Sequence, residues 1–245
     1  MSDYIVGRNS VLEALNNDTQ IDKLFIQKGE LKGSIKKIIG KAKDKKIVIT
    51  EVNRNRLDEL SEGLPHQGVA ALVGNFNYSS VEDIINSAYE KEEDPFVIIL
   101  DELEDPHNLG AIIRTAEVAG AHGVIIPKRR SASITAVVHK ASAGATNYMK
   151  VAMVTNINQT IEKLKKKNIF VYGACGEAND FYDKTNLTGP IALVIGNEGK
   201  GISQSVKKNC DSLIKIPMFG KVNSLNASNA AAVLIYEVVR QRSNG

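Results

Sequence analysis

The feature that most constrains this chain is an alternation that starts at Pro95 and runs to the C-terminus. Apolar runs of strand length occur at residues 96–100, 124–127, 150–154, 169–174, 191–195 and 213–216. Most are separated by segments with helical periodicity, which predict helices over 109–119, 134–141, 157–167, 203–209 and 225–241. Strands that are apolar throughout must be covered on both faces, and helical crossovers supply that cover. The pattern therefore predicts an α/β domain with a mostly parallel sheet. Such sheets bind ligands beyond the carboxyl ends of their strands. The polar, glycine-bearing loops at those ends are where a site is expected.

Before Pro95 the alternation is shorter. Residues 24–27, 47–52 and 69–73 read as strands, and 10–16, 33–43 and 54–61 as helices. On the second of these helices Ile35, Ile38, Ile39 and Ala42 fall on one face. Lys36, Lys37, Lys41 and Lys43, with Lys32 just ahead of them, cover much of the rest. Such a helix is apolar inside and basic outside, either as a solvated face or as an RNA-contacting surface. Residues 79–94 hold one basic and six acidic side chains and end at Pro95. They read as an acidic linker carrying a short helix over 81–89. The expected division is 1–78, a linker at 79–94, and 95–245. The first block has 12 basic and 10 acidic residues and the last has 18 and 12. Both could face a polyanion; the acidic middle could not.

Several classes of function find no support. No apolar run is long enough to span a bilayer, and the N-terminus lacks the basic-then-apolar order of a secretory signal. Cys175 and Cys210 are far apart, as expected of reduced thiols in a cytoplasmic protein. The four histidines, His66, His107, His122 and His139, are scattered, so no metal site is expected. The spacings of the phosphate-binding P-loop, the GxGxxG dinucleotide fingerprint and the GxSxG nucleophile elbow are all missing.

Three loops remain. The first runs Asp105-Pro-His-Asn-Leu-Gly-Ala-Ile-Ile-Arg114, the second Ile195-Gly-Asn-Glu-Gly-Lys-Gly-Ile202, and the third Ile216-Pro-Met-Phe-Gly-Lys-Val-Asn-Ser-Leu-Asn-Ala-Ser228. Each follows a strand and leads into a helix, which suggests one composite site. Gly196, Gly199 and Gly201 would let backbone approach a flat ligand, or simply make a turn. Ser224, Asn226, Ser228 and Asn229 crowd a helix start, where caps are also expected. Asn108 is expected in the loop or cap, with Arg114 one to two turns into the helix. An arginine among Leu109, Ala111, Ile112 and Ile113 is costly to bury without a carboxylate or an anion. A structural ion pair would serve, and so would a phosphate, which fits the guanidinium fork.

Asn108-Leu-Gly-Ala-Ile-Ile-Arg114, Ile195-Gly-Asn-Glu-Gly-Lys-Gly201 and Ile216-Pro-Met with Ser224-Leu-Asn226-Ala-Ser228 resemble the three ordered motifs of the SpoU (TrmH) RNA ribose methyltransferases. Val6-Gly-Arg-Asn-Ser-Val-Leu-Glu-Ala-Leu15 and His66-Gln-Gly-Val-Ala70 are similar to the substrate-binding domain of the branch that methylates guanosine in large-subunit (23S) ribosomal RNA. Pro127-Lys-Arg-Arg-Ser-Ala132 also resembles that branch, which adds Arg129 and Arg130 to Lys32, Lys36, Lys37 and Lys41 as RNA-binding candidates. The resemblance implies a SPOUT-type trefoil knot in residues 95–245 and a small α/β RNA-binding domain in 1–78. It further implies S-adenosylmethionine as cofactor, a homodimer, ribosomal RNA as partner and no metal. Asn108, Arg114, Glu198, Ser224 and Asn226 match the family's catalytic positions, and Gly196, Ile216 and Leu225 its cofactor contacts. Asn229 departs from the small apolar residue usual there. Arg114 is the family's proposed base, yet an arginine stays protonated, so orientation of a phosphate or the hydroxyl suits it better. His107 is the nearest ordinary base. Transfer-RNA methylation and a non-catalytic RNA-binding or assembly role are the alternatives.

Overall fold

In the computed structural model, which describes residues 4–17, 19, 21–29, 33–73 and 76–243, the chain divides into two units, 1–77 and 78–245. In the first, β1 (Tyr4–Val6), α1 (Arg8–Asn16), β2 (Ile21–Gln27), α2 (Ser34–Asp44), β3 (Val48–Val52), α3 (Arg54–Ser61) and β4 (Val69–Val73) follow one another. The sheet order is β1-β4-β2-β3, with β2 and β3 parallel and β4 antiparallel to both its neighbours. Helix α2 buries Ile35, Ile38 and Ala42 against the sheet core and leaves Lys36, Lys37 and Lys41 exposed, the division its sequence period requires. Lys32 lies outside the described residues.

The second unit opens with a correction. Residues 79–94, expected as a linker, contain α4 (Val81–Tyr89), which belongs to the core of this unit. Ser80 and Asp83 close a capping box, and Ile84, Ile85 and Ala88 are buried. The Ser79 amide donates to the Val151 carbonyl at 2.9 Å, tying the segment to the sheet edge. The helix lies where the sequence predicts one, over 81–89, with its apolar positions at the 3.6-residue period; the difference is that this face packs into the unit's core instead of belonging to a linker.

Then come β5 (Phe96–Leu100), α5 (Pro106–Val118), β6 (Gly123–Pro127), α6 (Ala136–Ala141), β7 (Val151–Val154), α7 (Ile157–Lys166), β8 (Phe170–Ala174), β9 (Asp180–Phe181), β10 (Ile191–Ile195), α8 (Gln204–Asn209), β11 (Ser212–Lys215) and α9 (Ala227–Ser243). The strands form one sheet in the order β7-β6-β5-β10-β8-β11-β9, with every pairing parallel. This is the α/β sheet expected, with one short edge strand, β9, that two residues of sequence could not announce. Strand β10 enters between β5 and β8, so the direction of sheet growth changes there. That topology brings the loops after β5, β8, β10 and β11 to one edge. No helix among the described residues is long and apolar enough to cross a membrane.

Candidate active site

The first loop is fixed by a helix cap. Oδ1 of Asp105 accepts from the amides of His107 at 2.7 Å and Asn108 at 2.9 Å, and Pro106 occupies the first helical turn. A proline there loses no hydrogen bond and presets the helical φ. Helix α5 therefore starts earlier than the apolar period indicates, and Asn108 sits in its first turn rather than in the loop. From there Nδ2 of Asn108 donates to Oε1 of Glu198, ninety residues away in the loop after β10. Two further bonds join the same loops. The Ser203 amide donates to Oδ2 of buried Asp101 at 2.8 Å, and Nδ2 of Asn197 reaches the Glu102 carbonyl at 3.4 Å.

The second loop folds on itself. Asn197 and Gly201 exchange backbone hydrogen bonds at 3.2 and 2.8 Å, and Oδ1 of Asn197 accepts from the Gly199 amide at 2.9 Å. A Cβ on Gly196 would lie 2.1 Å from the carbonyl carbon of Gly201. The glycine is therefore required by the loop's own backbone, whatever ligand the loop also meets. Gly110 is constrained in the same way, since a Cβ there would lie 2.6 Å from that of Ala141 on α6.

The third loop closes a cavity of about 330 Å³ against the second. Its apolar walls include Ile195, Ile214, Ile216, Met218 and Leu225; Gly196, Glu198 and Ser224 line its polar side. Of the residues expected at the site, Gly196, Glu198, Ile216, Ser224 and Leu225 are in the wall, and Asn108 is joined to it through Glu198. Ile216 lies just past the end of β11, one residue beyond the strand predicted to contain it. Asn226 is not in the wall. Its Oδ1 accepts from the Ser228 hydroxyl at 2.6 Å and the Ser228 amide at 3.0 Å, so it caps α9.

Arg114 departs from expectation. Leu109, Gly110, Ile112, Ile113 and Ala116 take the buried face of α5, which turns Arg114 outward and leaves it exposed. No burial cost has to be offset by a partner. His107 is seven residues back, nearly two full turns, so both lie on the same exposed face. Arg129 and Arg130 are also exposed. Arg130 donates to Oε1 of Glu102 at 2.7 Å, and that bond holds its pKa above the usual guanidinium value.

The loop after β8 brings residues to the cavity that the sequence did not single out: Cys175, Gly176 and Glu177, together with Lys207 from α8. Nζ of Lys207 lies 3.4 Å from Oε2 of Glu177. The small residues Gly173-Ala-Cys-Gly176 at a strand end were the available signal. Burial, with Asp211 beside it, pushes the Cys210 thiol up to about 12, which leaves it no nucleophilic character near neutrality.

Comparison with known proteins adds the following. Residues 95–236 match the profile of the SpoU rRNA Methylase family, and residues 4–79 match that of RNA 2'-O ribose methyltransferase substrate binding. A Bacillus subtilis (strain 168) protein, YacO, provisionally named a TrmH family tRNA/rRNA methyltransferase, is 48% identical over 241 residues, covering 98% of this chain and 96% of its own. The SpoU methyltransferase AviRb from Streptomyces viridochromogenes, solved with AdoMet, superposes with a TM-score of 0.63 at 24% identity, over 99% of this chain and 91% of its own. The A. aeolicus TrmH/SpoU tRNA modifying enzyme superposes with a TM-score of 0.58 at 26% identity. It covers 62% of this chain and 77% of its own.

Proposed function

The chain belongs to the SpoU rRNA methylase family, and from that membership we propose that it transfers the methyl group of S-adenosylmethionine to the ribose 2′-hydroxyl of a guanosine in large-subunit ribosomal RNA. The observation that carries the reading is the meeting of the second and third loops around one cavity, with Asn108 of the first loop bonded to the cavity wall.

The cavity suits such a cofactor. Its volume is at the lower end of the range for small-molecule sites, its apolar walls can enclose a flat ring, and its polar side offers backbone and carboxylate groups. Gly196, Ile216 and Leu225 would hold the cofactor. When bound, it supplies an electrophilic sulfonium methyl. The chain's own residues then have to orient a ribose hydroxyl, a poor nucleophile at neutral pH, for in-line attack and receive its proton. Asn108 holds the Glu198 carboxylate at the cavity wall, and Ser224 presents a hydroxyl there. Arg114, exposed and permanently charged, is suited to a phosphate of the RNA. His107, on the same face, is the ordinary base nearest to it.

The substrate assignment rests on the first unit. A tRNA-modifying relative covers only 62% of this chain, whereas residues 4–79 match a substrate-binding profile of their own. Exposed Lys36, Lys37 and Lys41 give that unit a basic face for RNA. We also propose a trefoil threading of the segment after β11, a homodimer and a cytoplasmic setting. Exposed Val118 on α5 and Tyr236 on α9 favour the homodimer, because they leave apolar surface for a second copy to cover. The test is transfer of tritiated methyl from S-adenosylmethionine to purified 23S ribosomal RNA and to purified tRNA. Label in ribosomal RNA alone is expected. Label in tRNA alone refutes the substrate assignment, and label in neither refutes the activity.

A further inference from the structure

A second groove, of about 630 Å³, lies beside the cofactor cavity along the sheet edge formed by β9 and β11. The two spaces share Gly176, Ile216, Met218 and Asn223 as common walls, so an occupant of the groove borders the proposed methyl donor's site. The groove's own side chains include Phe181, Phe219, Lys184 and Lys215. Phe219 is 95% exposed and Phe181 42% exposed, so two of the chain's six phenylalanines present their rings to solvent at one place. Register pairing sets Lys215 opposite Phe181, and Nζ of Lys215 stands 4.6 Å from the centroid of the Phe181 ring. Asp183, which lies 3.6 Å from Nζ of Lys184, is the acidic residue among the groove's lining, so the charge there is net positive.

Exposed aromatic faces interleaved with lysines are what an unpaired nucleotide needs. The base stacks on a ring and the phosphate meets a cation, without base-specific hydrogen bonds. We propose that this groove is a stacking subsite for an unpaired nucleobase of the RNA substrate, next to the nucleotide that is methylated. The proposal rests on the RNA-methyltransferase reading above and adds to it a specific place where the substrate is gripped. Charge complementarity and continuity with the cofactor cavity favour RNA over a protein partner.

The test uses the full chain and two probes, a fluorescent single-stranded 12-nucleotide RNA of mixed sequence and its abasic counterpart with the same phosphates. The Phe181→Leu/Phe219→Leu double variant keeps apolar bulk and removes the rings. It is expected to bind the RNA on the order of tenfold more weakly and the abasic strand unchanged, given the usual strength of base–aromatic stacking. Lys215→Gln is expected to weaken both and to reduce the salt slope by about one counterion. With a 5-iodouridine-substituted strand, irradiation is expected to mark Phe181 or Phe219, read by mass spectrometry. Calorimetry with S-adenosylhomocysteine checks that each variant keeps its fold, and sedimentation checks its oligomeric state. Equal binding of the RNA by wild type and the double variant overturns the subsite. So does a loss of RNA binding that tracks dissociation of subunits, since the rings would then serve a second copy of the chain. Absence of methyl transfer by the wild-type chain would instead count against the parent reading, independently of these binding results.

Discussion

Asn108 and Glu198 show what a single contact does for this site. The bond between them joins loops ninety residues apart, and no spacing rule could have read it from the sequence. What was legible was residue type: amides, a carboxylate and glycines at strand ends. Apolar sequence neighbours raise the question of what would offset burial of Arg114, but helical phase turns the residue outward and no such partner is needed. Its exposure makes a sharp prediction. Arg114→Ala should lower single-turnover methyl transfer on the order of 100-fold if it positions a phosphate, while S-adenosylmethionine affinity by calorimetry stays near wild type. Arg114→Lys should recover little, because a single ammonium does not reproduce the fork. Gly196→Ala should do the reverse and damage cofactor binding first, since its Cβ would lie 2.1 Å from backbone. The expected loss of affinity is about tenfold or more, from overpacking of that size.

At the scale of elements, the strands and helices after Pro95 could be read closely because buried parallel strands and amphipathic crossovers leave strong periods. Segment 79–94 carries the helix that its period predicts, but its acidic composition gives no sign that the helix packs into the larger unit. Its helix α4 buries Ile84 and Ile85 in the core of the larger unit. Ile84→Ala should therefore destabilise that unit by about 2–5 kcal/mol in denaturant titration, as for other large-to-small core changes; a true linker would show no effect. The end of the same segment carries a titratable contact. His122 is buried, accepts from the Phe96 amide at Nδ1 and meets Glu93 at 3.0 Å through Nε2. Burial lowers its pKa from the ordinary value of 6.5, against the opposing pull of Glu93. The unfolded chain therefore takes up a proton first as pH falls. The stability associated with neutral His122 is present above pH 6.5 and is lost as pH falls from there through the folded pKa. Thermal unfolding across pH 7.5 to 5 should show a decline of that sign, and His122→Asn should flatten it.

For the whole molecule, the strand order β7-β6-β5-β10-β8-β11-β9 was not legible in the sequence, because nothing local states where β10 will insert. The family resemblance supplied the function that spacing alone left open. The division of labour has a direct consequence: neutralising Lys36, Lys37 and Lys41 together should flatten the salt dependence of RNA binding by roughly three counterions at most, with cofactor affinity unchanged. An unaltered slope would mean a face that is merely solvated. The central claim is the ribose 2′-hydroxyl as acceptor, and alkaline hydrolysis tests it most directly. A free 2′-hydroxyl is what lets alkali cleave the adjacent phosphodiester, so a 2′-O-methyl group protects that one bond. After labelling 23S ribosomal RNA with tritiated S-adenosylmethionine and this enzyme, the predicted result is radioactivity recovered in an alkali-stable dinucleotide whose 5′ member is 2′-O-methylguanosine. Recovery of the label in mononucleotides would place the methyl group on a base and contradict the account.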